Sequence, residues 1–145
     1  MPYMWADSLL HSERAHLLRL LAWGASSVLV GTLVLAGLRV RGRRSALLES
    51  FAWQTAGWGT ACLLAGSSFL LSLTPRDLGA ATRLDRMLWL NIGLDAGYIL
   101  VGSTLIVVGA RFGRRLGLIG AGIAVIVQGT ALGLLDLLLA ARISR

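Results

Sequence analysis

Asn91, Asp95 and Tyr98 stand four and three residues apart inside the otherwise apolar stretch 88–110, and Gly102 follows four residues later. On a helix of about 3.6 residues per turn they form one stripe. A carboxylate within hydrocarbon costs about 2.5–3.5 kcal/mol on insertion scales, so it faces protein or a wet cavity and keeps partners there. A second acid, Asp136, lies in the apolar stretch 116–140 with Gln128, Gly129 and Gly133. Consecutive spans run antiparallel, so Asp95, before its span's midpoint, and Asp136, after its own, share one bilayer depth. Ser26 and Ser27 in the first apolar stretch reach the same depth. Two carboxylates in one low-dielectric pocket cannot both be charged cheaply. The chemistry open to the set Asn91, Asp95, Tyr98, Asp136, Ser26 and Gln128 is carriage of a proton or ion. The other readings are hydrogen bonding between helices, about 0.6 kcal/mol per bond on average, and a polar contact to another subunit. Asp136, near the end of its span, has water or Arg142 as candidate partners.

Other chemistries lack their residues. His11 and His16 are five apart, off a common helix face and outside the apolar runs, so no haem between spans is expected; they are left as ligands for an interfacial metal or pigment. No serine has the histidine and acid partners of a nucleophile, and no loop cradles phosphate. Cys62 is the only cysteine, which excludes an internal disulfide and a cysteine metal site. No enzyme activity and no metal are expected. Trp53, Gln54 and Trp58 could pack on the polar stripe or on a flat apolar ligand such as a quinone, a carotenoid or another pigment, because a buried indole N–H seeks an acceptor.

The elements that position these residues follow from composition. With 56% hydrophobic and 14% charged residues and a mean hydropathy of +0.73, the charges cluster between long apolar runs. A spanning helix needs about 20 apolar residues. Four segments qualify, at about 18–38, 47–71, 88–110 and 116–140. The expectation is one all-α domain over residues 1–145, a four-helix transmembrane bundle. The N-terminal segment, with Tyr3 and Trp5 suited to the headgroup level and Asp7 and Ser8 as caps, is expected to be retained as a short interfacial helix. Thr74 as cap and Pro75 as first helical residue would start the third helix. Gly93 and Gly97, opposite the polar stripe, offer a close-packing face, and Gly102, Gly129 and Gly133 add further close approaches.

The net charge of +7 would fit nucleic acid in a soluble protein. Here the arginines flank the spans, so anionic lipid headgroups are the expected partner. All fourteen cationic residues are arginine, as a GC-rich genome would give. Arg39, Arg41, Arg43 and Arg44 in one loop and Arg111, Arg114 and Arg115 in another form acid-free clusters. The other side has as many arginines, offset by Asp7, Glu13, Asp77 and Asp85. Positive loops stay in the cytoplasm, which puts both termini outside. An internal repeat at an offset of 71 lays Gly31-Thr32 on Gly102-Ser103 and Gly42-Arg43-Arg44 on Gly113-Arg114-Arg115; Gln54 falls on Gln128 at 74. Two hairpins in parallel repeat are implied.

The run Asn91-Ile92-Gly93-Leu94-Asp95-Ala96-Gly97-Tyr98, with Trp53-Gln54 and Trp58-Gly59, resembles an uncharacterised family of small bacterial four-span membrane proteins. In that family an Asn-x-Gly-x-Asp-x-Gly-Tyr run marks the third span, and a Gln precedes a late Asp in the fourth, as Gln128 and Asp136 do here. The family's Asn beyond the second tryptophan is Ala61 in this chain. The resemblance implies four spans in a bacterial inner membrane and carries over no known activity. The leading expectation is a non-enzymatic subunit that assembles with itself or with a larger membrane complex. A small proton- or ion-coupled carrier using Asp95 and Asp136 is the alternative, and a binder of an apolar cofactor is the third.

Overall fold

The computed structural model describes residues 2–143, with side chains from Met4 onward; the side chain of Tyr3, and Arg145, lie outside the described residues. The chain is all-helical, with α1 (Pro2–Val40), α2 (Ala46–Leu71), α3 (Leu78–Arg111) and α4 (Leu116–Ile143) and no strand among the described residues.

The helix ends follow from local chemistry. Gly42, at φ +59°, closes α1: its N–H donates to Arg39 O and the Arg43 N–H to Leu38 O, pairing carbonyls that the helix end leaves free. The Ser45 hydroxyl accepts from the Leu48 N–H to open α2, with Glu49 in the first turn. Gly113 and Arg114 both take positive φ in the turn between α3 and α4.

Two expected starts are corrected. α3 is capped by Asp77, whose carboxylate accepts from the Ala80 N–H at 2.6 Å, rather than by Thr74. Asp77 supplies a stronger acceptor, and Pro75-Arg76 stay in the linker. Asp7 and Ser8 are not caps, and no separate interfacial helix precedes the first span. α1 runs unbroken through both residues, and the Ser8 hydroxyl donates to Trp5 O within its own turn.

α1 packs on α2 and α3 on α4, giving two hairpins that meet mainly through α2 and α4, with a smaller contact of α1 on α4. The backbone of α3 approaches neither α1 nor α2 closely. Within each hairpin a reciprocal glycine pair sets the approach. A Cβ on Gly24 would lie 2.8 Å from Gly59 O, and one on Gly102 2.7 Å from Gly122 O. Between hairpins, Gly120 packs directly on the Leu47 carbonyl. The seams hold glycine, alanine and polar groups with a few larger apolar side chains such as Leu17, Leu88 and Leu139, while Leu29, Leu33, Leu64, Leu90, Leu100 and Leu134 face outward. Close backbone packing inside an apolar exterior suits lipid, where apolar side chains gain nothing by turning inward.

Three helical segments, Met4–Val40, Leu78–Arg111 and Leu116–Ile143, are long and apolar enough to cross a membrane. The expected second span is helical throughout as α2, but Gln54, Thr55, Thr60, Ser67 and Ser68 dilute its apolar content.

Candidate functional site

Because α3 stands off from α1 and α2, two cavities open between the hairpins and meet at Asn91 and Asp136. The inner one, about 250 Å³, is lined among others by Trp58, Cys62, Asn91, Asp95, Tyr98 and Asp136. The outer one, about 270 Å³, has Glu13, His16, Phe69, Arg76, Arg83 and Met87 on its walls.

Asp95 of α3 is 5% exposed, and its Oδ2 finds no hydrogen-bond partner among the described residues. Gly133 of α4 makes the room for it. A Cβ there would come within 3.4 Å of the Asp95 Cβ and 3.7 Å of Oδ2. A buried polar atom without a partner is costly, which singles out Oδ2 as the group a ligand or a proton would satisfy.

Asp136 is differently placed. Its Oδ1 lies 3.3 Å from His16 Nε2, and His16 Nδ1 lies 3.2 Å from the Leu135 carbonyl. A carbonyl only accepts, so Nδ1 carries a hydrogen. Nε2 then either accepts from a protonated Asp136 or donates as imidazolium to an ionised one. In both of those states a hydrogen bond joins His16 to Asp136. Asn91 lines both cavities beside the same carboxyl, and Asp95 lines the inner one with it.

Further out, Arg76 Nε donates to both oxygens of Glu13, at 2.7 and 2.8 Å. The Glu13 side chain is 5% exposed and that of Arg76 34%, so the pair joins the start of α1 to the α2–α3 linker from a half-open position. At the inner end Trp58 and Tyr98 meet edge to face, with centroids 4.9 Å apart. Polar groups therefore line the gap from the Glu13–Arg76 pair through His16 and Asp136 to Asp95.

The structure sorts the predicted residues. Asn91, Asp95, Tyr98 and Asp136 come together at the inner cavity. Ser26 does not. It is exposed and donates to Ala22 O in its own helix; Ser27, one residue on, faces inward. Gln128, 1% exposed, belongs to a separate buried cluster, accepting from Trp23 Nε1 at 2.7 Å and donating to the Ser27 hydroxyl at 3.2 Å. Gly102, Gly129 and Gly133 all pack against a neighbouring helix. Gly93 and Gly97 do not: no heavy atom lies within 4 Å of a Cβ built on either, because α3 meets only α4 closely.

Of the proposed apolar-ligand contacts only Trp58 reaches the cavity. Trp53 is 63% exposed and Gln54 is exposed, both on the outer face of α2. Arg41, Arg43, Arg44, Arg111, Arg114 and Arg115 are all exposed in the two turns. Asp136 faces His16 rather than Arg142.

His16 and the Glu13–Arg76 pair were missed because the first apolar run appeared to begin at Leu18. The signal was there. Leu9, Glu13, His16, Leu17, Gly24, Ser27 and Gly31 are all buried and follow helical spacing, so one stripe runs through the charged segment into the span.

The repeat offsets also gain a contact-level meaning. Gly24 packs on Gly59 and Cys62, and 71 and 74 residues later Asp95 faces Gly133 and Asp136. The second hairpin thus holds carboxylates where the first holds a glycine and a thiol.

No curated protein and no solved structure matches the chain. A family model does match, over residues 19–137, a segment that includes Asn91, Asp95, Tyr98, Gln128 and Asp136 but begins after Glu13 and His16. The chain therefore belongs to that family, described as Family of unknown function (DUF6992).

Proposed function

We propose that this is a non-enzymatic multi-pass protein of a bacterial inner membrane, with four spans and both termini outside, that carries protons or a cation through the cleft holding Asp95 and Asp136. α2, whose apolar run is interrupted by Gln54 and several hydroxyl residues, completes the bundle as a span packed on α1 and α4. The observation that carries the reading is the buried, unpartnered Oδ2 of Asp95, a residue that lines a cavity together with Asp136, the partner of His16. Thr55 Oγ1 is likewise buried without a partner, but of the two only Asp95 lines this cavity beside a second carboxylate. Proteoliposomes test it. A pH gradient should decay faster with the protein than without, and Asp95→Asn should abolish the difference.

A second reading, a subunit that assembles with itself or a larger membrane complex, is favoured by one observation. Gly93 and Gly97 form a small-residue face on α3 that no helix of this chain covers. Native mass spectrometry from the source membrane tests it, and a lone monomer would speak against it.

A further inference from the structure

The inner cavity has a composition that selects its ligand. It presents two carboxylates, Asp95 and Asp136, together with Asn91 and Tyr98, and no cationic side chain among the described residues lines it. Of the neighbouring basic side chains, His16 lies against the Asp136 Oδ1, Arg76 is paired with Glu13, and Arg83 lines the outer cavity. The Trp58–Tyr98 pair forms an aromatic corner on the same wall. Indole and phenol faces attract a cation within about 6 Å of the ring centroid. A bare divalent ion would be poorly served, because magnesium and calcium demand about six or more oxygen ligands and much of the lining is leucine and alanine. A cation with carbon substituents fits all of these walls.

We infer that the inner cavity binds an organic ammonium bearing apolar substituents, its charged head between Asp95 and Asp136 and against the Trp58–Tyr98 corner. Its apolar part extends past Asn91 into the outer cavity, which adds about 270 Å³ beside the inner 250 Å³. Pockets of about 300 Å³ and upward hold small organic ligands. The inference rests on the reading of this cleft as a proton or cation site and names its substrate class. Proton and ammonium are alternative counter-charges for the same carboxylates. The titratable groups facing them are Cys62 of α2 and Tyr98 of α3, with His16 of α1 behind Asp136.

Equilibrium dialysis of the full chain in mild detergent with radiolabelled benzyltrimethylammonium tests it, and neopentylbenzene serves as the uncharged competitor of the same shape. Saturable binding near one per chain is expected, with no displacement by the neutral compound. Asp95→Asn should weaken it about tenfold or more, and Trp58→Leu about three- to tenfold. Absence of saturable wild-type binding, displacement by neopentylbenzene, or wild-type affinity in either variant would overturn the inference. The competition arm uses only wild-type protein and does not depend on how the variants fold. Proton flux separates the two claims. Asp95-dependent flux without ammonium binding refutes the ligand class alone, and ammonium binding without flux upholds it while refuting carriage.

Discussion

His16 Nε2 faces Asp136 Oδ1 at 3.3 Å across the junction of the two hairpins, the first belonging to α1 and the second to α4. Because His16 Nδ1 is committed to the Leu135 carbonyl, Nε2 is the nitrogen left to meet the Asp136 carboxyl. The contact ties the hairpins together at the point where the two cavities meet.

Replacing His16 by Ala should lower stability by about 1–2 kcal/mol, near the upper end for polar contacts between membrane helices. In a double-mutant cycle with Asp136→Asn, thermal melting in detergent should show coupling of about 0.5 kcal/mol or more. Additive losses would mean that the two side chains do not interact.

The Glu13–Arg76 pair should respond asymmetrically. Glu13 is the deeper partner, with its side chain 5% exposed against 34% for Arg76. Arg76→Ala strands a buried carboxylate and should cost about 3 kcal/mol. Glu13→Ala leaves a guanidinium able to reach water and should cost less. Urea or thermal unfolding of the two variants in one detergent gives the order directly.

How much of this was legible in the sequence depends on the helix. The 88–110 and 116–140 spans, and the meeting of Asp95 with Asp136 near Asn91 and Tyr98, followed from apolar run length and antiparallel depth alone. α1 did not, because a search for uninterrupted apolar residues stops at the charges of Glu13 and Arg14, although the helix passes through them. Glu13 and His16 are tolerated there because their partners, Arg76 and Asp136, come from distant parts of the chain. The choice of Ser26 over Ser27 failed for a local reason. Depth fixes a level in the bilayer, but one residue along a helix turns the side chain by about 100°. The glycines divided likewise: spacing identified small faces, and only the arrangement of hairpins decided that Gly102 is covered and Gly93 and Gly97 are bare.

That division is testable. Gly122→Ala would push a Cβ to 2.5 Å from Gly102 O and force α3 and α4 apart, with an expected loss of about 1–3 kcal/mol. Gly93→Ala meets nothing within 4 Å and should be neutral, or more stable by about 0.5–1 kcal/mol through helix propensity. If Gly93→Ala instead destabilises the protein or changes its elution volume, the bare face is an assembly surface.

Thr55 is 5% exposed, and its hydroxyl oxygen has no hydrogen-bond partner among the described residues. Thr55→Val removes that oxygen at nearly constant shape, so melting should rise, by about 1 kcal/mol in stability. The gain would set Thr55 apart from Asp95, which lines a cavity with a second carboxylate.

The central claim is that Asp95 and Asp136 form a working proton or cation site rather than a structural contact. It is tested most directly by the decay of an imposed pH gradient in vesicles containing equal amounts of wild-type, Asp95→Asn or Asp136→Asn protein. The account predicts accelerated decay with the wild type and decay at the rate of empty vesicles with Asp95→Asn, the variants remaining folded by their melting curves. Wild-type vesicles no leakier than empty ones, or Asp95→Asn as active as wild type, would contradict it.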